Sequence, residues 1–215
     1  MSAAITLPVL VSGASGFVGQ ALLRQLLQSS VPVNVLSRPA HDLLLPASLS
    51  TVCDGIDTVF HLAACAHVNH AQTRHLYAVN VAGTQHVLDA AIKAGVRHFV
   101  YVSSILADPA YDQPRTVYGD SKWQAEQLLI DAHERGDICV SIVRPVNVYG
   151  PGMKGNLMTL MRLIRRGLLP PLPRFDYAFS LIGVDDLCAA LICVAQQMHS
   201  AKAQLYVLSD GQSYQ

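Results

Sequence analysis

Gly13, Gly16 and Gly19 follow a short apolar run, Leu7-Pro-Val-Leu-Val-Ser12. They open a stretch in which Phe17, Val18, Leu22, Leu23, Leu26 and Leu27 recur at helical spacing. A buried strand, a glycine loop and an amphipathic helix, in that order, constrain this chain more than any other feature. Gly13 permits the tight turn, Gly16 permits close approach of the backbone, and Gly19 allows the helix to pack on the strand. Ser15, Phe17 and Val18 complete the loop at a helix start, where backbone N–H groups point outward at an anion. The spacing is GxxGxxG, and a glycine triplet alone is equally a structural turn. Its position between strand and helix points to the phosphates of a dinucleotide.

The alternation continues. Val33-Asn-Val-Leu-Ser37, Asp57 to Leu62, His98 to Ser103 and Ile138 to Arg144 read as strands. Helical stretches lie between them, notably His70 to Ala94 and Val117 to Arg135. This predicts an α/β fold, a doubly wound parallel sheet covered on both faces. From Pro151 the pattern changes. Met153 to Gly167 reads as a helix, Pro170, Pro171 and Pro173 interrupt it, and a helix (Asp185 to Met198) and a strand (Gln204 to Leu208) follow. The expected division is a nucleotide-binding domain over 1–150 and a small, truncated substrate-binding lobe over 151–215.

A chain of 215 residues can bury a sizeable core. Its fifteen basic and fifteen acidic residues cancel, which argues against nucleic acid or a polybasic membrane patch. The longest clean apolar run, Leu187 to Ala195, is about half of a membrane span. Met1 to Pro8 lacks a basic n-region, so no signal peptide is expected. The five cysteines (Cys53, Cys65, Cys139, Cys188 and Cys193) show no CxxC spacing and sit in apolar segments, so most are expected as buried thiols in a reducing cytoplasm.

The second constellation is Tyr118-Gly-Asp-Ser-Lys122. Four residues apart on a helix is one face. A tyrosine that works as a base near neutral pH needs its pKa lowered by about 3 units, worth about 4 kcal/mol. Lys122 is placed to supply the positive charge and to hold the nicotinamide ribose hydroxyls. Ser103 and Ser104, at a strand's carboxyl end, are candidates to align a substrate oxygen. The bland alternative is a half-buried aromatic beside a solvated lysine. After the second strand stand Ser37 and Arg38, where an acidic residue would mark NAD. An arginine and a hydroxyl suit a 2′-phosphate, which favours NADP over NAD.

These residues resemble the extended short-chain dehydrogenase/reductase family, in its NAD-dependent epimerase/dehydratase branch. The resemblance rests on SGASGFVG at 12–19, His61-Leu-Ala-Ala64, Asn80-Val-Ala-Gly-Thr84, Val102-Ser-Ser104, Tyr118 with Lys122, and Arg144-Pro-Val-Asn-Val-Tyr-Gly-Pro151. It implies a Rossmann-like domain with a small C-terminal substrate lobe, usually acting on nucleotide sugars. By resemblance the catalytic trio falls on Ser104, Tyr118 and Lys122. Leu62, Ala63 and Ala64 would line the cofactor, with Ser103 and Pro145 beside it and Asn80 beneath as a backbone anchor. Asp42, followed by Leu43, resembles the acidic residue near the adenine. Asn147 matches an asparagine that meets the sugar-nucleotide diphosphate in UDP-sugar 4-epimerases, and Asn156-Leu157 a pair that approaches the uracil. The segment Val146 to Pro173 resembles bacterial enzymes of surface-polysaccharide sugar synthesis, which include 4-epimerases and 4-keto-sugar reductases. The implied partner is a UDP-sugar. Relatives often form homodimers through two helices per subunit, here the helix from about His70 and the one carrying Tyr118.

The departures are informative too. Ile105 and Leu106 follow Ser104 where sugar dehydratases place an Asp-Glu pair, and neither can transfer a proton. The interval from Ser104 to Tyr118 is shorter than the family usually has, so a loop near the site is reduced. The stretch between Arg38 and Leu49 is short, so the third strand is expected to be vestigial. The arginine that usually grips the diphosphate aligns near Phe179, and Arg174 is its candidate substitute. A non-catalytic dinucleotide-binding protein and a dehydrogenase of a sterol or flavonoid carbonyl stay open as alternatives. His67, His70 and His75 do not share one helical face, so no metal site is expected. His61 is expected to pack at a strand end, Asp185-Asp186 to cap a helix, and Trp123 to belong to the core.

Overall fold

The computed structural model describes residues 5, 7–66, 72–111, 115–153, 156–168, 179–198 and 202–214. Its centre is a parallel sheet in the order β2-β1-β3-β4-β5-β8. The strands are β1 (Val9–Ser12), β2 (Val33–Leu36), β3 (Thr58–His61), β4 (His98–Val102), β5 (Cys139–Pro145) and β8 (Gln204–Leu208). Val, Ile and Phe dominate the inner strands, as suits a pleated surface buried on both sides. Period-two alternation divides them between two cores. Leu10, Val59, Phe99, Tyr101, Val140 and Ile142 face one layer. Val9, Val11, Phe60, Val100 and Val143 face the other.

The first layer holds α3 (Gly83–Lys93) and α4 (Val117–Glu134). Helix α2 (Thr73–Tyr77) runs through a π turn (Ala78–Ala82) directly into α3, so one helical stretch spans the expected region, and His70 lies outside the described residues. The second layer holds α1 (Phe17–Gln28) and α6 (Val184–Ala195). Leu22 and Leu26 of α1 and Leu187, Cys188 and Leu191 of α6 share one buried cluster. A second, two-stranded parallel sheet pairs β6 (Asn147–Tyr149) with β7 (Leu181–Gly183), and α5 (Asn156–Arg165) lies between them in sequence. Strand pairing crosses the expected division at residue 150. β6, before it, pairs with β7, while α6 and β8, after it, complete the main sheet and its layer.

Residues 37–57 hold a 3₁₀ turn (Pro46–Leu49) and no strand, in line with the reduced third strand expected there, and β2 is the edge of the sheet beside β1. Two sequence expectations change here. Only Cys53 and Cys188 of the five cysteines are fully buried. Cys193 is exposed because Leu187, Cys188, Leu191 and Val194 form the inward stripe of α6 and position 193 falls off it. Asp185 and Asp186 occupy the first turn of α6 without capping it, since the cap position is Gly183. There they complement the helix dipole, and Asp185 meets Arg24 of α1 at 3.3 Å.

Candidate active site

Gly13 takes a left-handed backbone, φ +71°, and a Cβ there would lie 2.7 Å from the Ala63 backbone nitrogen. The loop after β1 therefore crosses the loop after β3 at a distance only glycine permits. A Cβ on Gly19 would fall on the Gly13 carbonyl, so this glycine packs the helix against the loop itself rather than the strand. Gly16 is different. It caps α1 with an extended backbone and no side-chain cap, which leaves the first-turn N–H groups to an outside acceptor. Ser15 is exposed beside it, with Phe17 and Val18 half-buried. The Phe17 ring lies against the turn after β6, near Gly150 and Gly152. This arrangement, with Leu62 and Ala63 half-buried and Ala64 exposed, fits a dinucleotide pyrophosphate.

A buried polar chain ties that cradle to the helical layer. Ser12 Oγ accepts from the Leu62 and Ala63 N–H groups at 3.1 and 3.2 Å. Both its lone pairs are then used, so its proton goes to His61 Nδ1, 2.8 Å away. His61 must carry its own proton on Nε2, which donates to Thr84 Oγ1 at 3.1 Å. Thr84 Oγ1 donates to the Asn80 carbonyl at 2.7 Å. Burial, helped by the charge of Lys122, pushes the imidazole down to about 3, so it is neutral as this chain of bonds requires. His61 does sit at a strand end, and it links five residues there.

Asn80 binds the backbone of the loop after β3. Its Oδ1 accepts from the Cys65 N–H at 2.7 Å. Its Nδ2 donates to the Cys65 carbonyl and to Ser121 Oγ, each at 2.9 Å. Ser121 in turn donates to the Tyr118 carbonyl at 2.8 Å. One amide thus joins the loop after β3 to the first turn of α4. Thr116 caps that helix by accepting from the Gly119 N–H at 3.0 Å, which fixes where Tyr118 and Lys122 begin their shared face.

Ser104, two residues beyond β4, is extended, caps the short 3₁₀ turn that follows and accepts from the Leu106 N–H at 3.2 Å. Its own proton stays available to a substrate oxygen. Ser103, by contrast, is buried with no partner on Oγ. Tyr118 is half-buried, and desolvation pushes its phenol up to about 12. The expected depression by Lys122 is not what this arrangement produces. Lys122 is 2% exposed. It donates to the Val102 carbonyl at 2.7 Å and to Tyr101 Oη at 3.2 Å, both on β4. Burial brings its ammonium down to about 7, opposed by the Glu126 carboxylate.

Three more residues, unassigned by the sequence reading, brace the site. Glu126 of α4 grips Arg144 of β5 through two bonds of 2.9 and 2.6 Å, and Arg144 reaches Asp108 at 3.0 Å. The guanidinium thereby holds the shortened segment after Ser104 against both neighbours. The i, i+4 relation of Lys122 and Glu126 was the available signal, but it does not reveal that Glu126 is fully buried. Trp123 is half-buried under the Arg115 guanidinium, 4.6 Å from its ring centre.

The remaining expected contacts are spread wider. Ser37 and Arg38 are exposed just after β2. Asp42 is half-buried and accepts from the Leu44 N–H at 2.9 Å. Leu43 packs where a Cβ of Gly83 would stand, and its carbonyl accepts from His86 at 2.7 Å, so this segment docks on α3. Pro145 is buried at the end of β5, paired with Leu208. Asn147 is exposed, with its amide 3.5 Å from the Ser180 carbonyl. Asn156 and Leu157 open α5. Arg174, His67 and His70 lie outside the described residues. No group of metal-ligating side chains is present among the described residues, and no helix among them is long and apolar enough to cross a membrane.

The sequence matches the profile of the NAD dependent epimerase/dehydratase family over residues 9–209. The chain belongs to that family. It is 32% identical to a UDP-glucose 4-epimerase of Vibrio cholerae over 94% of its own length and 70% of that protein's. It spans 52% and 54% of the length of two further curated relatives. Among solved structures, MoeE5 in complex with UDP-glucose and NAD superposes with a TM-score of 0.80 at 29% identity, over 96% of this chain and 77% of that one. RMD from Pseudomonas aeruginosa complexed with NADPH gives 0.78 at 27% identity, over 98% and 78%.

Proposed function

We propose that this protein is a nicotinamide-dependent oxidoreductase that acts at C4 of a UDP-sugar, as a 4-epimerase or a 4-keto-sugar reductase. The single observation that carries this is the joining of the glycine cradle to the Tyr118–Lys122 helix by the Ser12–His61–Thr84–Asn80–Ser121 chain of hydrogen bonds. A phosphate cradle and a phenol–ammonium pair held in one rigid frame serve hydride transfer next to a hydroxyl or ketone. The bound dinucleotide supplies the hydride acceptor or donor.

The chain's own residues do the rest. The first turn of α1 and Ser15 hold the pyrophosphate. Ser104 donates to the substrate oxygen, and Tyr118 exchanges a proton with it. Arg38 and Ser37 meet a 2′-phosphate, which favours NADP. Asn147 and the start of α5 meet the nucleotide diphosphate. The similarity to the UDP-glucose 4-epimerase and to MoeE5 with its UDP-glucose supports the substrate class. Ile105 and Leu106 offer no proton donor after Ser104, which weighs against dehydration.

Fluorescence titration with NADPH and NADH, with and without UDP-N-acetylglucosamine, tests this reading. NADPH binding that the UDP-sugar perturbs is expected. Binding of neither dinucleotide would overturn the reading. Dinucleotide binding indifferent to every UDP-sugar would overturn the substrate class and leave the cofactor.

A further inference from the structure

We propose that Tyr101 is a positioning residue for Lys122, holding the ammonium on β4 with its hydroxyl and its ring; the role rests on the oxidoreductase reading above. Lys122 Nζ donates to Tyr101 Oη at 3.2 Å and lies 4.4 Å from the centre of the Tyr101 ring. Its third contact, the Val102 carbonyl at 2.7 Å, comes from the next residue of the same strand. Two adjacent residues of β4 therefore fix a side chain that α4 carries.

Tyr101 can do this because it is itself locked. It is fully buried and stacks on His61 with ring centres 5.8 Å apart and planes 17° from parallel. His61 belongs to the chain of bonds that runs to Ser12 and the cradle. The place of the ammonium is thus referred to the same frame that places the dinucleotide.

The charged and titratable groups around Lys122 are few. His61 on β3 is neutral, and Tyr101 on β4 is held well above the usual phenol range, first by burial. On α4 stand Tyr118 and Glu126, and both Glu126 oxygens are bound to Arg144. The Tyr101 hydroxyl is accordingly the side-chain acceptor bonded to the ammonium. In this resting arrangement Lys122 is committed to β4, and Tyr118 keeps its high pKa.

The test is a titration of the lysine side chains by NMR, using lysine labelled with ¹³C at Cε. The chain has four lysines, Lys93, Lys122, Lys154 and Lys202, so Lys122 is assigned by its loss in Lys122→Met. In the wild type it should titrate near pH 7, with εCH₂ protons shifted upfield by the ring and cross-relaxing with Tyr101. Tyr101→Phe keeps the ring and removes the acceptor. The midpoint should then fall by about one pH unit, tenfold in the proton affinity, because the ammonium loses a charge-assisted bond. A lysine role for Tyr101 that is only packing would leave the midpoint unmoved, and that result overturns the proposal. So would the absence of the ring shift and cross-relaxation in the wild type, a measurement that needs no variant. Loss of dinucleotide binding in the wild type would overturn the oxidoreductase reading while leaving this titration as it stands.

Discussion

The buried imidazole of His61 makes acid sensitivity calculable. Unfolded, His61 takes a proton near pH 6.5; folded, it stays neutral down to about 3. Below pH 6.5 the unfolded chain binds the proton and the folded one does not, so stability falls as pH falls through that window. The interval of about 3.5 units, at 1.36 kcal/mol each, is about 5 kcal/mol over the full range. Between pH 6.5 and 5 the loss is about 2 kcal/mol. Lys122 shifts the same way, from 10.5 to about 7, but its window lies above pH 7 and does not enter. With a urea m-value of about 3 kcal/mol/M, the midpoint should drop by about 0.7 M more in the wild type than in His61→Gln. Urea unfolding of both proteins at pH 7 and pH 5 measures this, each protein being compared with itself. The fixed cost of the substitution then cancels, as do the other titrating groups. Equal losses in the two proteins would refute the assignment of His61 as a neutral Nε2–H tautomer bound at both nitrogens.

Other consequences are as direct. Gly19→Ala should cost about 1–3 kcal/mol, since its methyl group collides with the Gly13 carbonyl, and should abolish NADPH binding by displacing the cradle; thermal melts and fluorescence read both. Glu126→Gln leaves Arg144 buried with one neutral partner and should destabilise by about 3–5 kcal/mol, whereas Asp108→Asn, at the more open end of the triad, should cost about 1 kcal/mol in the same melts. Tyr118→Phe should leave dinucleotide affinity intact and lower turnover about 10²–10⁴-fold, and unchanged turnover would remove Tyr118 from the chemistry. Arg38→Ala should weaken NADPH about tenfold and NADH hardly at all, measured as two dissociation constants.

The periodicities were enough for the α/β class, the strands β1, β2, β3, β4, β5 and β8, and the helix that carries Tyr118 and Lys122. Local patterns determine these because a strand buried on both faces is apolar throughout and a helix start is marked by glycine or threonine. What local pattern does not encode is which polar side chains meet across the layers. Ser12, His61, Thr84 and Asn80 are scattered over seventy positions, and only the stacking of β1, β3 and α3 brings them into one chain of bonds. The same is true of Arg144 with Glu126 and Asp108. The spacing of Tyr118 and Lys122 predicts a shared helix face and a phenol tuned by its ammonium. The fold instead sets Tyr101 of the neighbouring strand under that ammonium, because β4 and α4 pack face to face and a buried charge takes the nearest acceptors. Sequence determined which groups this protein has for its chemistry; tertiary packing decided which of them hold one another, since desolvation and hydrogen-bond geometry exist only once the layers have closed.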